Sequence, residues 1–238
     1  MGGYDTSRPA YLTAPAGGGS DPNFPGEVSM HKNRPAIAAL IFALGLPASA
    51  QAQSSVNPNP GLAPAGRYRI IRDHTQVIFS VMHLGLSPYY GRFAGASGTL
   101  SFTPLDPVRS SLSVEIDPAT ASTTTELLSK SLCASDALDC AKHPRIAFKS
   151  TAIRKTGDNT GDIEGDLSIA GVSKPVTLHA RFHGGMQGPL GENNYQLGFS
   201  AETTIKRSEF GLTKMIWSPT IGDEVKLLIE AEFEQDHR

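Results

Sequence analysis

Histidine, cysteine and arginine are the side chains in this chain whose chemistry could define a site. Five histidines fall between residues 66 and 234: His74, His83, His143, His179 and His183. A shared metal needs two of them close together. His179 and His183 lie four residues apart on the polar face of one alternating run, which sets their Cβ atoms ~13 Å apart in an extended chain, too far to grip one ion. Asp73-His74 has the look of a catalytic dyad. No nucleophile motif such as G-x-S-x-G accompanies it, so Asp73 reads as a turn residue. His83 shares a face with Val77, Phe79 and Val81. It is either a hydrogen-bonded core histidine or a polar contact for the head of a bound molecule, and in the second case it is the group on which turnover would depend. Arg207 ends an alternating run. It either anchors a ligand oxygen or pairs with Glu209 or another carboxylate.

Cys133 and Cys140 are the only two cysteines, which excludes a cysteine-rich scaffold and a metal site of four thiolates. A disulfide is the expected pairing in an oxidising compartment. On one continuous helix their Cα atoms would stand ~10 Å apart, so a helix carrying Cys133 must break before Cys140. Ala134-Ser135-Asp136 offers the break. A redox or metal pair fits neither the spacing nor the neighbours. There is no dinucleotide-binding G-x-G-x-x-G, no Walker loop and no H-E-x-x-H. The glycine-rich stretch from Gly91 through Gly95 to Gly98 lies between extended runs and reads as a bend or bulge. The charge balance, 21 Lys+Arg against 23 Asp+Glu, is unlike that of a nucleic-acid binder, which needs clustered cations.

These residues sit on elements with a period of two. In Glu224–Glu234, Val225, Leu227, Ile229, Ala231 and Phe233 share one face and charged residues fill most of the other, as in a half-buried strand. The same alternation runs through Leu112/Val114/Ile116, Ile163/Leu167/Ile169, Val176/Leu178/Ala180/Phe182 and Leu197/Phe199/Ala201/Ile205. Shorter runs hold Ile146/Phe148 and Leu100/Phe102. Ala170-Gly171-Val172 makes a tight turn, and glycine-containing stretches mark longer ones. One helical insertion interrupts the strands. Ser122 or Thr123 would cap it, with Glu126 three residues after Thr123, and it runs to about Leu132. The chain is all-β, and about eight strands with one apolar face each remove their edges by closing into an antiparallel barrel. Such a barrel is filled by its own side chains or holds one small ligand. The inward set includes Ala180, Ala201, Gly165 and Ala231, whose small size leaves room. A self-filled barrel serving as an adhesion or interaction module is the reading that a measured lumen decides against or for.

Length sets one or two domains, and the first 65 residues supply neither. Residues 1–29 are rich in Gly, Pro, Ser and Ala without apolar periodicity, and are expected to be a disordered stretch upstream of a true start at Met30. Residues 30–52 have a cationic start at Lys32 and Arg34, an apolar core from Ala36 to Leu46 and small residues at Ala48-Ser49-Ala50 and Ala52. That is the order of a secretory signal peptide, and the apolar run is about half of the ~20 residues that span a bilayer. Cleavage near Ala50 or Ala52 is expected, giving a periplasmic or secreted protein. Residues 53–65 read as a flexible leader, and residues 66–234 as the barrel domain.

Four segments in this order resemble the YceI-like family of exported lipid-binding proteins. They are Tyr68 to Phe102, with its Asp73-His74, Gly85 and Gly91-Arg92-Phe93; His143-Pro144-Arg145-Ile146-Ala147-Phe148; Gly165 to Leu178, with Gly171 and Lys174-Pro175; and Ile205-Lys206-Arg207-Ser208-Glu209-Phe210-Gly211, closed by Ile221-Gly222-Asp223-Glu224-Val225. The resemblance covers nearly all of the chain after the leader. It implies a lipocalin-like barrel whose apolar pore holds a polyisoprenoid lipid, an isoprenoid quinone or a prenyl chain, with no catalytic machinery, no cofactor of its own and a transient membrane contact. The inward apolar residues expected against the lipid are Phe79, Val81, Phe93, Leu100, Val114, Phe148, Leu167, Leu178, Phe182, Phe199, Phe210, Leu227 and Ile229, with His83 as their polar companion. The alternative is a periplasmic quinone-linked enzyme or electron-transfer accessory that uses His83. The chain departs from the family where two bulky aromatics are replaced by Ala137 and Leu138, so its pore is expected to be wider or differently capped there.

Overall fold

The computed structural model describes residues 56–188, 194–215 and 218–237. The segments read as an upstream stretch (1–29) and a signal peptide (30–52) lie outside them. The described strands are β1 Gly66–Ile70, β2 Gln76–His83, β3 Ser87–Phe93, β4 Ser97–Phe102, β5 Ser111–Ile116, β6 Ile146–Lys155, β7 Thr160–Ile169, β8 Val172–Gln187, β9 Tyr195–Lys206 and β10 Ile221–Gln235. One helix, α1 Glu126–Leu132, lies between β5 and β6.

All pairings are antiparallel, in the order β1-β4-β5-β6-β7-β8-β9-β10, and β10 returns to β1, so eight strands close a ring. Segments β2 and β3 form a hairpin that continues along the other half of β10. The expected eight strands are therefore present around the barrel, and two of them are each broken into two segments. The breaks face one another. At Ala94–Ala96, Gly95 takes φ +69°, and the Arg72 guanidinium lies 2.6 Å from where a Cβ on Gly95 would stand. Only glycine meets both conditions without strain. Across from it, residues 72–74 form a single 3-10 turn. There the Ile71 N–H donates to the Glu232 carbonyl (2.8 Å), and the Thr75 hydroxyl takes up the Glu232 N–H (3.2 Å), so the break leaves β10 with partners.

Two apolar clusters lie toward the two ends of the barrel. One contains Tyr68, Leu100, Phe182, Leu197 and Phe233. The other contains Leu138, Ile146, Phe148, Ile169, Ile205 and Phe210. The insertion between β5 and β6 packs on the second cluster through Leu132, Leu138 and Cys140.

The helix starts later than expected. Its N-cap is Thr125, whose hydroxyl accepts from the Leu128 N–H (3.2 Å). Ser122 is held extended by a backbone bridge to Arg92, and the Thr123 hydroxyl donates to the Thr125 carbonyl, so the chain cannot turn before Thr125. Glu126 opens the helix instead of closing a capping box, and pairs with Lys130 at 2.7 Å. The helix then breaks as the cysteine spacing requires. Cys133 is its C-cap, and the Cys133–Cys140 disulfide spans a Cα–Cα distance of 4.9 Å.

The second half of the presumed leader is seated on the barrel. Asn57 and Gly185 exchange backbone hydrogen bonds at 2.8 and 2.9 Å, Ala63 is buried, and the Tyr68 hydroxyl donates to the Pro64 carbonyl at 2.7 Å. Proline and asparagine content reads as flexibility in sequence, but here those residues form a fixed 3-10 turn, Pro60–Leu62.

Candidate ligand-binding chamber

Inside the ring lies a cavity of about 150 Å³. Nine of the expected residues line it: Phe93, Leu100, Val114, Phe148, Leu167, Leu178, Phe199, Leu227 and Ile229. They come from eight strands, β3 to β10, because alternate residues on every strand of a small barrel point inward. Residues of the same runs complete the wall, among them Ile70, Val77, Leu112, Ile116, Ile163, Ile169 and Phe233. Ala180, Ala201 and Ala231 also line it, on the adjacent strands β8, β9 and β10. Ala180 faces Ala201 across the ladder, and Ala231 faces Phe199. Those three short side chains leave space that Leu or Phe would fill. Gly165 contributes none, because the Phe148 ring lies 2.5 Å from where its Cβ would stand.

The lining is apolar apart from two hydroxyl-bearing residues, Thr75 and Ser200, and the Ser200 side chain, between inward Phe199 and Ala201, stands on the outer face of β9. Thr75 is engaged with the Glu232 backbone, and Ser200 with the Glu230 carboxylate and the His183 ring, both at 2.5 Å. Among the described residues no titratable side chain lines the chamber.

Five expected residues lie elsewhere. His83, at the end of β2, is exposed and faces Ser87 and Ile221 across the ladder. Val81 does not reach the chamber, and Phe79 stacks its ring on Gly91, 5.3 Å from the Phe93 ring. The three share the inward face of β2, but β2 and β3 run on past the packed end of the lumen. Alternation reports which face a residue is on and not how deep it sits. Phe210 belongs to a 3-10 turn and is buried in the cluster that packs that end. Phe182 stands at the opposite end, at the mouth.

The mouth is a second, open cavity of about 750 Å³, and it shares Leu100, Ile163, Ala180 and Phe199 with the chamber. Residues 58–61, the β4–β5 loop from Pro104 to Ser110 and the β6–β7 hairpin around Asp158 surround it. Three phenylalanines stand between the two spaces. Phe182 and Phe199 have ring centroids 5.1 Å apart, and Phe102 lies 6.3 and 6.1 Å from them. Contacts in this range suit edge and tilted aromatic pairs. Behind them, Tyr68 is fully buried, and burial, reinforced by nearby Tyr195, holds its phenol well above the usual tyrosine range.

The other end is packed shut by the described residues, and Arg207 is its buried fastening. Its guanidinium donates to the carbonyls of Leu212, Ser218, Ile221 and Gly222 and to the Ser218 hydroxyl, at 2.5 to 3.2 Å. Among the described residues it forms no close ion pair with a carboxylate, and it does not line the chamber. Leu138, one of the two residues that depart from the family pattern, is buried in the same end, and Ala137 is buried beside it. The departure thus falls on the closed end of the lumen. Outside the barrel, His74 pairs with Glu232 and His179 with Asp162, which leaves the exposed histidines as surface partners. No group of three or more His, Cys, Asp or Glu residues placed to hold a metal occurs among the described residues.

Comparison with known proteins gives the same architecture. A UPF0312 protein of Ectopseudomonas mendocina is 37% identical over 172 residues, covering 71% of this chain and 89% of that protein. The crystal structure of a Campylobacter jejuni YceI protein is 30% identical, covers 66% of this chain and 90% of its own, and superimposes with a TM-score of 0.59. A polyisoprenoid binding domain from Saccharophagus degradans, 13% identical, covers 71% of this chain and 98% of its own with a TM-score of 0.56, a likeness of fold. The YceI-like domain family matches residues 68–233, from the buried Tyr68 to the chamber wall at Phe233, and the chain belongs to that family.

Proposed function

We propose that this protein is an exported, non-enzymatic carrier that takes an isoprenoid-type lipid, an isoprenoid quinone or a prenyl chain, into its barrel. The observation that carries the reading is the apolar chamber inside a closed ring, packed at one end and adjoining a mouth, past three phenylalanine rings, at the other. A chain entering such a space gains ~25 cal/mol for each Å² of apolar surface withdrawn from water. Among the described residues it meets no titratable side chain, and the Thr75 hydroxyl is already bonded. The Saccharophagus domain named for polyisoprenoid binding shares the fold and adds support. The signal-like order of residues 30–52 and a cysteine pair suited to an oxidising compartment support export to the periplasm or beyond.

The test is to express the full chain, recover the protein from the periplasm or medium, extract it with organic solvent and identify the extract by mass spectrometry. A prenyl lipid at near-stoichiometric yield is expected. The Ala201→Phe variant is the matched control. An apolar cavity of ~150 Å³ accommodates a benzene ring, so the new phenyl group fits and occupies the chamber. The variant should fold, at a cost within the ~1–3 kcal/mol of overpacking, and come out empty. A parent protein that neither carries nor accepts a long apolar molecule ends the reading.

A further inference from the structure

Around the mouth, three aliphatic side chains stand in water. Leu105 is 84% exposed, Val108 73% and Leu62 65%. Leu62 and Leu105 adjoin, because the Leu105 side chain comes 3.5 Å from where a Cβ on Gly61, the neighbour of Leu62, would stand, and Val108 follows three residues on in the same loop. The turns that present them are tied down. The Asn59 side chain accepts from the Gly61 N–H (2.9 Å), the Ala63 N–H reaches the Pro60 carbonyl (3.1 Å), and the Ser110 N–H reaches the Pro107 carbonyl (2.9 Å). The Ser110 hydroxyl accepts from the Thr103 N–H across the base of the loop at 2.9 Å. These side chains are therefore held outward and do not fold back onto the barrel.

We infer that the mouth rim is a membrane-docking surface that seats on a zwitterionic phospholipid bilayer by inserting Leu62, Leu105 and Val108. The inference rests on the carrier reading of the chamber. A long apolar chain has almost no free concentration in water, so it must pass between a bilayer and the lumen, and the mouth is where the lumen opens. Exposed apolar patches of this kind mark protein or membrane contacts. The charge around the rim selects between membranes. Lys155 is 4.0 Å from Asp158, Arg154 is paired with Glu164 at 2.6 Å and Asp162 at 3.7 Å, and Arg109 follows Asp106 in one turn. Lys155 and Arg154 each have a carboxylate beside them, which complements head groups that carry both charges and gives anionic lipid no advantage. A second set of exposed aliphatics, Leu84 and Leu86, sits on the β2–β3 turn beyond the packed end and supplies an internal comparison.

The experiment uses the full chain and two combined variants, Leu62→Ser/Leu105→Ser/Val108→Ser at the rim and Leu84→Ser/Leu86→Ser at the far turn. Residues 30–52 are common to all three, so their own lipid affinity cancels. Sedimentation with phosphatidylcholine vesicles should show the rim variant partitioning at least about tenfold more weakly than the parent and the far-turn variant unchanged. Adding phosphatidylglycerol should change parent binding by less than about threefold. Geranylgeraniol added from solvent should enter the parent and the rim variant equally. A rim variant that sediments like the parent while both take up the prenol overturns the docking surface and leaves the carrier standing. The same holds if the triple substitution abolishes only self-association of the protein. A parent that takes up no prenol removes the carrier and the docking together.

Discussion

Arg207 makes the strongest single-residue contribution that the structure reveals. Four backbone carbonyls, those of Leu212 and Ser218 in the irregular stretch and those of Ile221 and Gly222 at the start of β10, accept from its guanidinium. Arg207→Met should cost about 2–4 kcal/mol in urea unfolding, because buried acceptors lose charge-assisted bonds. Arg207→Lys should restore less than half, since an ammonium cannot reach several diverging carbonyls as a planar fork does. Equal midpoints for the three proteins would refute the assignment. Sequence alone leaves this role open, because four of the five acceptors are backbone carbonyls between five and fifteen residues further on. Tyr68 makes a second contribution, and it depends on pH. Burial favours its neutral phenol, so the folded chain keeps that proton after the unfolded chain has released it at about pH 10. The stabilisation is whole below that pH and falls away as pH rises through the raised folded value. Tyr68→Phe should lose ~0.5–1.5 kcal/mol at neutral pH with its bond to Pro64, and should show a shallower alkaline fall in stability. Parallel pH–stability curves for the two proteins would contradict this.

At the scale of elements, the alternating strands were legible because a half-buried sheet in water leaves a period-two pattern, and β10 keeps it from Val225 to Phe233. What the pattern hides is depth. Phe79, Val81 and His83 obey the alternation and still miss the lumen, because the β2–β3 hairpin outlasts it. The strand breaks at Gly95 and at 72–74 were half visible, as a glycine-rich bend without its partner. The insertion carrying α1 was visible as an element, but its starting residue was not, since Ser122 is captured by a strand far away in sequence. That insertion closes one barrel end, and a seven-residue separation ties its C-terminal turn to itself through Cys133 and Cys140. Closing so short a loop restricts the unfolded chain modestly. Cys133→Ser/Cys140→Ser should therefore cost about 2–3 kcal/mol at most. Because the link is local, the loss should be local. Hydrogen exchange should quicken in residues 126–143 while β7, β8 and β9 keep their protection. Uniform acceleration across the barrel would mean that the bridge supports the whole fold and not its lid.

For the whole molecule, the open question in the sequence was whether the ring is filled or hollow, and alternation is silent on it. Volume decides, and three alanines on neighbouring strands tip the balance toward a lumen. The chamber is nevertheless small beside the mouth it adjoins, and the Phe102, Phe182 and Phe199 rings stand where the two meet. A long chain must therefore turn these rings aside and thread inward from the mouth, with its far end against the Leu138–Phe210 cluster. The energetic consequence reaches the entire barrel, because a ligand in a chamber lined from all ten strands stabilises only the closed ring. At a free concentration one hundred times its dissociation constant, a ligand adds ~2.7 kcal/mol to unfolding. For a domain of this size each kcal/mol moves the midpoint by ~2–4 °C. Geranylgeraniol should therefore raise the thermal midpoint by about 5–10 °C in calorimetry, as one cooperative transition that includes the β2–β3 hairpin. Ala201→Phe, its chamber already occupied, should melt at the same temperature with and without the prenol. A prenol-dependent shift of equal size in both proteins would place the ligand on the outer surface of the barrel and take the lumen out of the account.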